Sequence, residues 1–145
     1  SRRYSPTNKA DSLFKFVNSK INLPNEEIMV IIDPDNWIIR DISKWVKQVS
    51  EGHPIGEAAW FHGSKSVTDL WKEVCLQNCD FELDLVGVPY IVHINDLTKI
   101  APWFLRYIEI MKDKENKDPK FLNRYKHIQM GWGTEMFAYI FGAAH

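Results

Sequence analysis

The stretch Glu26–Asp35, EEIMVIIDPD, decides how this chain is read. Its five consecutive apolar residues, Ile28-Met29-Val30-Ile31-Ile32, are too few for a helix and rich in branched side chains. They predict a strand buried on both faces. Asp33-Pro34-Asp35-Asn36 must end that strand, because a proline cannot donate to a central ladder. Both carboxylates then lie beyond the pleat and can turn toward one point past the strand's C-terminal end, where open α/β sheets take their ligands. Paired hard oxygens at such a point suit Mn²⁺ or Mg²⁺, which leave coordination positions for a diphosphate and stabilise charge on a departing phosphate. The same residues also favour a plain turn, and an Asp-x-Asp pair alone is a weak signal.

Outward from the strand, helical and extended patterns alternate. Upstream, Asn8–Lys20 places Ala10, Leu13, Phe14 and Val17 on one helical face, and Leu23-Pro24-Asn25 breaks the chain. Downstream, Trp37-Ile38-Ile39 reads as a short strand and Ile42–Ser50 as a helix closed by Gly52. Residues 52–63 form a glycine-rich loop. Ser66-Val67-Thr68-Asp69 resembles a capping box ahead of a helix that buries Val67, Leu70, Trp71 and Val74. Asn78–Pro89 reads as irregular and Tyr90–Ile94 as a strand, with Asn95-Asp96 starting the next helix. That helix carries the stripe Leu97, Ile100, Ala101, Phe104, Leu105 and Ile108, and Pro102 either kinks it or starts a new turn. Lys112–Lys120 reads as a solvated charged loop. Gly131-Trp132-Gly133 leads through Thr134, a candidate N-cap, into a last helix over Glu135–Ala144. The class is α/β, expected as a mixed sheet flanked by helices.

Composition narrows the function classes. The 145 residues are 45% hydrophobic and 26% charged, enough for one domain with a real core. Eighteen basic against nineteen acidic residues leave a net charge of −1, which argues against a nucleic-acid partner held by bulk electrostatics. The apolar runs are too short to span a bilayer, and no leader pattern opens the chain. Ser1–Tyr4 reads like mid-chain text, so the expectation is of a piece of a longer protein. Cys75 and Cys79, four residues apart, are read either as a core residue and a loop thiol or as a disulfide, the latter in an oxidising compartment only.

Glu135 is a second candidate for chemistry. In the first turn of its helix it could act as a base, orient an acceptor hydroxyl or contact a metal, though a glutamate there also simply complements the helix dipole. His93 within a strand reads first as a satisfied core or rim histidine. His145 could offer an imidazole to the same metal if the helix end folds back. Trp60, Phe61 and Trp132 could pack on a sugar ring, with burial the default for aromatics.

Taken in order, these segments resemble the plant-type hydroxyproline O-arabinosyltransferase and peptidyl-serine α-galactosyltransferase family. Glu26–Asp35 resembles its metal-site strand, and Asn8-Lys9-Ala10 its Asn-Lys-Pro segment with Ala10 in place of proline. Gly52-His53-Pro54, Val86-Gly87 and Tyr90–Leu97 resemble the serine-galactosyltransferase branch, and Lys99–Trp103 (KIAPW) the arabinosyltransferase branch. Gly131-Trp132, Glu135-Met136, Tyr139 and Phe141–Ala144 resemble the family's C-terminal block. The resemblance implies a partial GT-A-like, Rossmann-related domain lacking its N-terminal donor-binding part. It implies a retaining transfer of a sugar from a nucleotide sugar, of UDP type, to a hydroxyproline or serine hydroxyl of a glycoprotein or peptide, with Mn²⁺ or Mg²⁺ as cofactor. Under it Asp33 and Asp35, with His145 as a third ligand, would hold the metal. Asn8 and Lys9 would serve the donor, Glu135 would face the acceptor, and His93, Trp132, Gly131 and His53 would bind substrate. The implied location is the Golgi or ER lumen, with any membrane anchor outside this chain. Two other readings stay open: a non-catalytic carbohydrate- or protein-binding module on the same fold, and a metal-dependent phosphoryl-transfer enzyme. The latter calls for further acidic strand ends, of which the sequence offers only Asp96.

Overall fold

A computed structural model describes residues 7–19, 27–33, 38, 40–58, 64–80, 82–131 and 133–145. Helices α1 (Thr7–Val17), α3 (Ser64–Val74), α4 (Ile94–Lys117) and α6 (Thr134–Ala143) pack with three strands, β1 (Ile28–Ile31), β2 (Ile55–Ala58) and β3 (Val86–His93). The single turns α2 (Ser43–Val46) and α5 (Phe121–Arg124) complete the set with a 3₁₀ turn at Lys126–Ile128. The α/β class stands, but the sheet described is wholly antiparallel in the order β1-β3-β2, where a mixed sheet was expected.

The largest correction concerns the strand that led the reading. β1 lies at the sheet edge, where only Ile31 is buried and Ile32 beyond it is 40% exposed. Burial on both faces belongs to β3, whose Tyr90–His93 are all buried in the central position. The irregular reading of Asn78–Pro89 failed at its end because Gly87 and Pro89 are poor strand residues. The pairing shows how they are tolerated: β1 pairs only with Tyr90–His93, and the β2 register breaks between Gly56 and Glu57, opposite Tyr90 and Gly87. The missing N–H of Pro89 therefore falls where neither ladder needs it.

Helix boundaries differ for equally local reasons. The charged segment Lys112–Lys120 is helical to Lys117, because buried Met111 anchors the preceding turn and Lys117 pairs with Asp113 at 2.9 Å, one turn back. Pro102 sits inside one continuous helix of 24 residues. The expected capping box Ser66–Asp69 lies within α3, which starts at Ser64. Ile42–Ser50 contributes one turn only, opened by Asp41, whose carboxylate accepts from the Ser43 N–H at 2.8 Å. Trp37 and Ile39 lie outside the described residues, and Ile38 between them is not in the sheet.

The core forms where α4 crosses the other helices. Phe104, Tyr107, Ile108 and Met111 of α4 meet Phe137 and Phe141 of α6, with Leu70 and Trp71 of α3 closing the side, all fully buried. Trp71 lies 5.1 Å from Phe141 and 5.6 Å from Tyr107, ring centre to ring centre. Among the described residues no helix is long and apolar enough to cross a membrane.

Cys75 and Cys79 form a disulfide just past α3, resolving the two readings in favour of the bond. The Trp71 indole N–H donates to the Cys79 carbonyl at 3.0 Å, so the small loop is fastened to the core twice. Closing so short a loop stabilises by about 2 kcal/mol through the unfolded chain's entropy. Reduction, or Cys79→Ser paired with Cys75→Ser, is expected to lower unfolding free energy by about that amount in urea melts. A loss near zero would show that the loop is equally ordered without the bond.

Candidate functional site

Three residues far apart in sequence meet at the C-terminal end of β1. Lys9, in the first turn of α1, reaches both Asp33, two residues beyond β1, and Glu135, the second residue of α6. Its ammonium makes ion pairs to Asp33 Oδ1 and Glu135 Oε1. The three side chains are 18%, 33% and 11% exposed, so this is a half-sheltered cluster and not a surface ion pair. Burial pulls the Lys9 ammonium down, but the hydrogen bonds and charges of Asp33 and Glu135 outweigh it and hold the lysine above its ordinary range. Among the described residues, two carboxylates share this one cation.

Two tyrosines extend the cluster toward the sheet. Tyr90 of β3 pairs across the ladder with Ile31, and Tyr139 lies one helical turn after Glu135 on α6. Their rings stack with centres 3.6 Å apart and planes 10° apart. Burial raises the Tyr90 phenol far above its ordinary value, and Tyr139, Glu135 and Asp33 push the same way. Burial also raises Tyr139, with the charge of Asp96 adding to it. Both phenols stay protonated.

A polar clamp flanks this region. Asp96, buried in the first turn of α4, accepts from the Gly52 N–H at 2.8 Å, and Gly52 itself takes a φ of +80° that suits glycine. Glu51 accepts from Asn95 at 3.0 Å and from Lys99 at 2.8 Å. His93 is the N-cap of α4, its Nδ1 accepting from the Asn95 N–H at 3.2 Å. At 4% exposure it is the satisfied histidine of the plainer reading. His53 is exposed, with its ring 3.5 Å from Ser50 Oγ.

The other expected site residues lie as follows. Gly131 adopts a φ of +102° and donates to Thr134 Oγ1 at 3.1 Å, so Thr134 acts as first residue of α6 and not as its N-cap, which is Gly133. Asn8 is exposed beside Lys9. His145 is held against α4, 2.7 Å from Tyr107 Oη and stacked on Trp103 at 4.3 Å between centres. Burial lowers its imidazole below the usual histidine range. Asp35 and Trp132, like Trp60 and Phe61, lie outside the described residues. Among the described residues no group of three or more histidine, cysteine or acidic side chains is placed to hold a metal ion.

The structure thus brings Lys9, Asp33 and Glu135 together. It adds Tyr90, Tyr139 and Asp96, which sequence reasoning had not given site roles. Tyr139 was reachable, since a residue four after Glu135 shares its helix face. Tyr90 was not, because its place depends on the β1–β3 register.

No family model and no solved structure matches the chain. Over 130 residues it is 29% identical to the peptidyl serine alpha-galactosyltransferase of Arabidopsis thaliana, the match covering 81% of this chain. The chain spans only 14% of that relative's length. A distant, partial relative is therefore a glycosyltransferase.

Proposed function

We propose that this chain is part of a glycosyltransferase that moves a sugar from a UDP-type nucleotide sugar to a serine or hydroxyproline hydroxyl of a peptide. The observation that carries the reading is the convergence of Lys9, Asp33 and Glu135, three residues that the family resemblance assigns to one site. The distant relationship to a serine galactosyltransferase supports the same reaction class, and the Cys75–Cys79 disulfide fits the oxidising secretory lumen that such chemistry implies.

The site suits a cation. Two hard-oxygen carboxylates already converge on the Lys9 ammonium, the donor type that Mn²⁺ and Mg²⁺ prefer. In this reading Asp33 and Asp35 would hold the metal, which when bound neutralises charge on the departing diphosphate. Lys9 would serve the same anionic group, exchanging its carboxylate partners for phosphate oxygens. Glu135 would then be released to accept a hydrogen bond from the acceptor hydroxyl and orient it. His145, held on α4, is proposed to buttress the end of α6, with any ligand role requiring it to leave Tyr107.

Calorimetric titration of the chain with UDP and with UDP-galactose, with and without Mn²⁺, tests this. Metal-dependent binding is expected, weakened at least tenfold in Asp35→Ala and Asp33→Ala. Binding that ignores the metal, or is unchanged in both variants, would overturn the donor-site assignment.

A further inference from the structure

Glu115, near the end of α4, faces the start of α6 and has no part in the cluster above. Its Oε1 is buried and has no hydrogen-bond partner among the described residues. The carboxyl accepts from the hydroxyl of Thr134, which is itself only 1% exposed. Thr134 Oγ1 in turn accepts the Gly131 N–H at 3.1 Å, so the hydroxyl proton is left to point at Glu115. The Gly131 N–H, the Thr134 hydroxyl and the Glu115 carboxyl thus form a relay across the seam between α4 and α6. Glu135 follows Thr134 directly, so whatever fixes Thr134 fixes the turn that carries Glu135.

The relay alone does not need a carboxylate. A glutamine carbonyl would also accept from Thr134, without bringing a charge into the seam. That charge is poorly answered, because one of its two oxygens has no donor. Burial accordingly pushes the Glu115 carboxyl up, against the weaker pull of Lys112 and of the Thr134 hydrogen bond. Lys112 sits three residues back on the same helix. Neighbouring charges on the other elements are engaged elsewhere. Lys114 of α4 and Arg124 of α5 both turn to Glu73 of α3, and Arg124 also to Asp118. Lys9 of α1 pairs with Asp33 and with Glu135 of α6. The ionised form is therefore disfavoured in the seam, and a proton relieves it.

We propose that Glu115 is a proton-dependent positioning residue: protonated, it stays in the seam and holds Thr134, and ionised, it is drawn toward water and loosens the entry of α6. The inference rests on the transferase reading only for what Glu135 does; the relay is independent of it. Mild acid should order the turn bearing Glu135, and neutral pH should relax it. The sign follows from the raised carboxyl. Its stabilisation is complete below the ordinary glutamate value of about 4.3 and is lost as pH rises through the higher folded value.

The test is an NMR titration of the chain across the carboxylate and histidine ranges, following the Glu115 carboxyl carbon and the amides of Thr134 and Glu135. A Glu115 midpoint above the ordinary glutamate value is expected, with both amides showing a phase at that same midpoint. Glu115→Gln should remove this phase from the amides. Thr134→Ser keeps the hydroxyl and should keep the coupling, whereas Thr134→Val should leave Glu115 titrating and silence the phase at Glu135. Glu115→Gln and Thr134→Ser decide the matter if Thr134→Val does not fold. An ordinary Glu115 midpoint, or a phase that persists in Glu115→Gln, would overturn the inference; so would a phase lost in Thr134→Ser. Metal-dependent UDP binding is read separately. Its absence beside coupled amides would sink the transferase reading alone, and its presence beside uncoupled amides would sink this inference alone.

Discussion

Lys9→Met is expected to destabilise the fold by about 2–3 kcal/mol at neutral pH, a large share of a domain's total stability. Methionine keeps the apolar stem, so the loss is that of the charge. It leaves Asp33 and Glu135, both sheltered, facing each other without their shared cation. Breaking a fully buried pair costs about 3–5 kcal/mol, and the partial exposure of Asp33 argues for less. Adding Glu135→Gln removes the repulsion and should recover part of the loss, whereas the same change alone in the native chain should cost stability. Urea denaturation of the four proteins checks this. If Glu135→Gln rescues nothing, the cluster is not an electrostatic unit.

The pH dependence carries a sign of its own. The Lys9 pKa is raised in the folded state, so its stabilisation is complete below the unfolded lysine value of about 10.4 and is lost as pH climbs through the higher folded value. The gap between the native chain and Lys9→Met should therefore narrow only above about pH 10.4 in alkaline melts. A gap that closes between neutral pH and that point would assign the effect to another group.

How far the sequence could be read depended on whether an element's neighbours were local. α1 and the buried stripe of α4 were legible because their faces repeat along one helix, and Val67, Leu70, Trp71 and Val74 of α3 are all buried as the pattern required. β1 was recognised as a strand but misplaced as a central one, since an apolar run carries no record of which strand lies beside it. The end of Asn78–Pro89 was misread because Gly87 and Pro89 argue against a strand until the register of β2 and β3 is known. Asp33 and Glu135 were each singled out by local pattern, but Lys9 was reached only through ordered resemblance. Spacings of 24 residues between Lys9 and Asp33 and more to Glu135 contain no periodic signal. The stacked pair of Tyr90 and Tyr139 needed the sheet register itself.

Gly142 supplies the other large expected effect. A Cβ built there would lie 2.8 Å from the Phe104 nitrogen, 3.1 Å from its Cα and 3.3 Å from the Ile100 oxygen. All three are backbone atoms of α4, which cannot rotate away as a side-chain tip can. Alanine in the last turn of α6 would gain less than the roughly 1 kcal/mol that helix propensity offers at an interior position, while forcing the two helices apart costs about 1–3 kcal/mol in a packed core. The clash is against backbone, so it wins, and Gly142→Ala should be less stable than the native chain. Gly142→Val, with branching and no propensity gain to match, should lose about 3 kcal/mol or more. Gly52→Ala is the contrast. Nothing lies within 4 Å of a Cβ there, and its cost comes only from a φ of +80°, about 1–2 kcal/mol. The consequence reaches the site, because α6 carries both Glu135 and Tyr139. Displacing it from α4 should weaken metal-dependent UDP binding, at temperatures where Gly142→Ala is still folded. A Gly142→Ala chain more stable than the native one would mean that propensity outweighs packing, and that α4 and α6 are not as tightly opposed as Phe104 and Ile100 require.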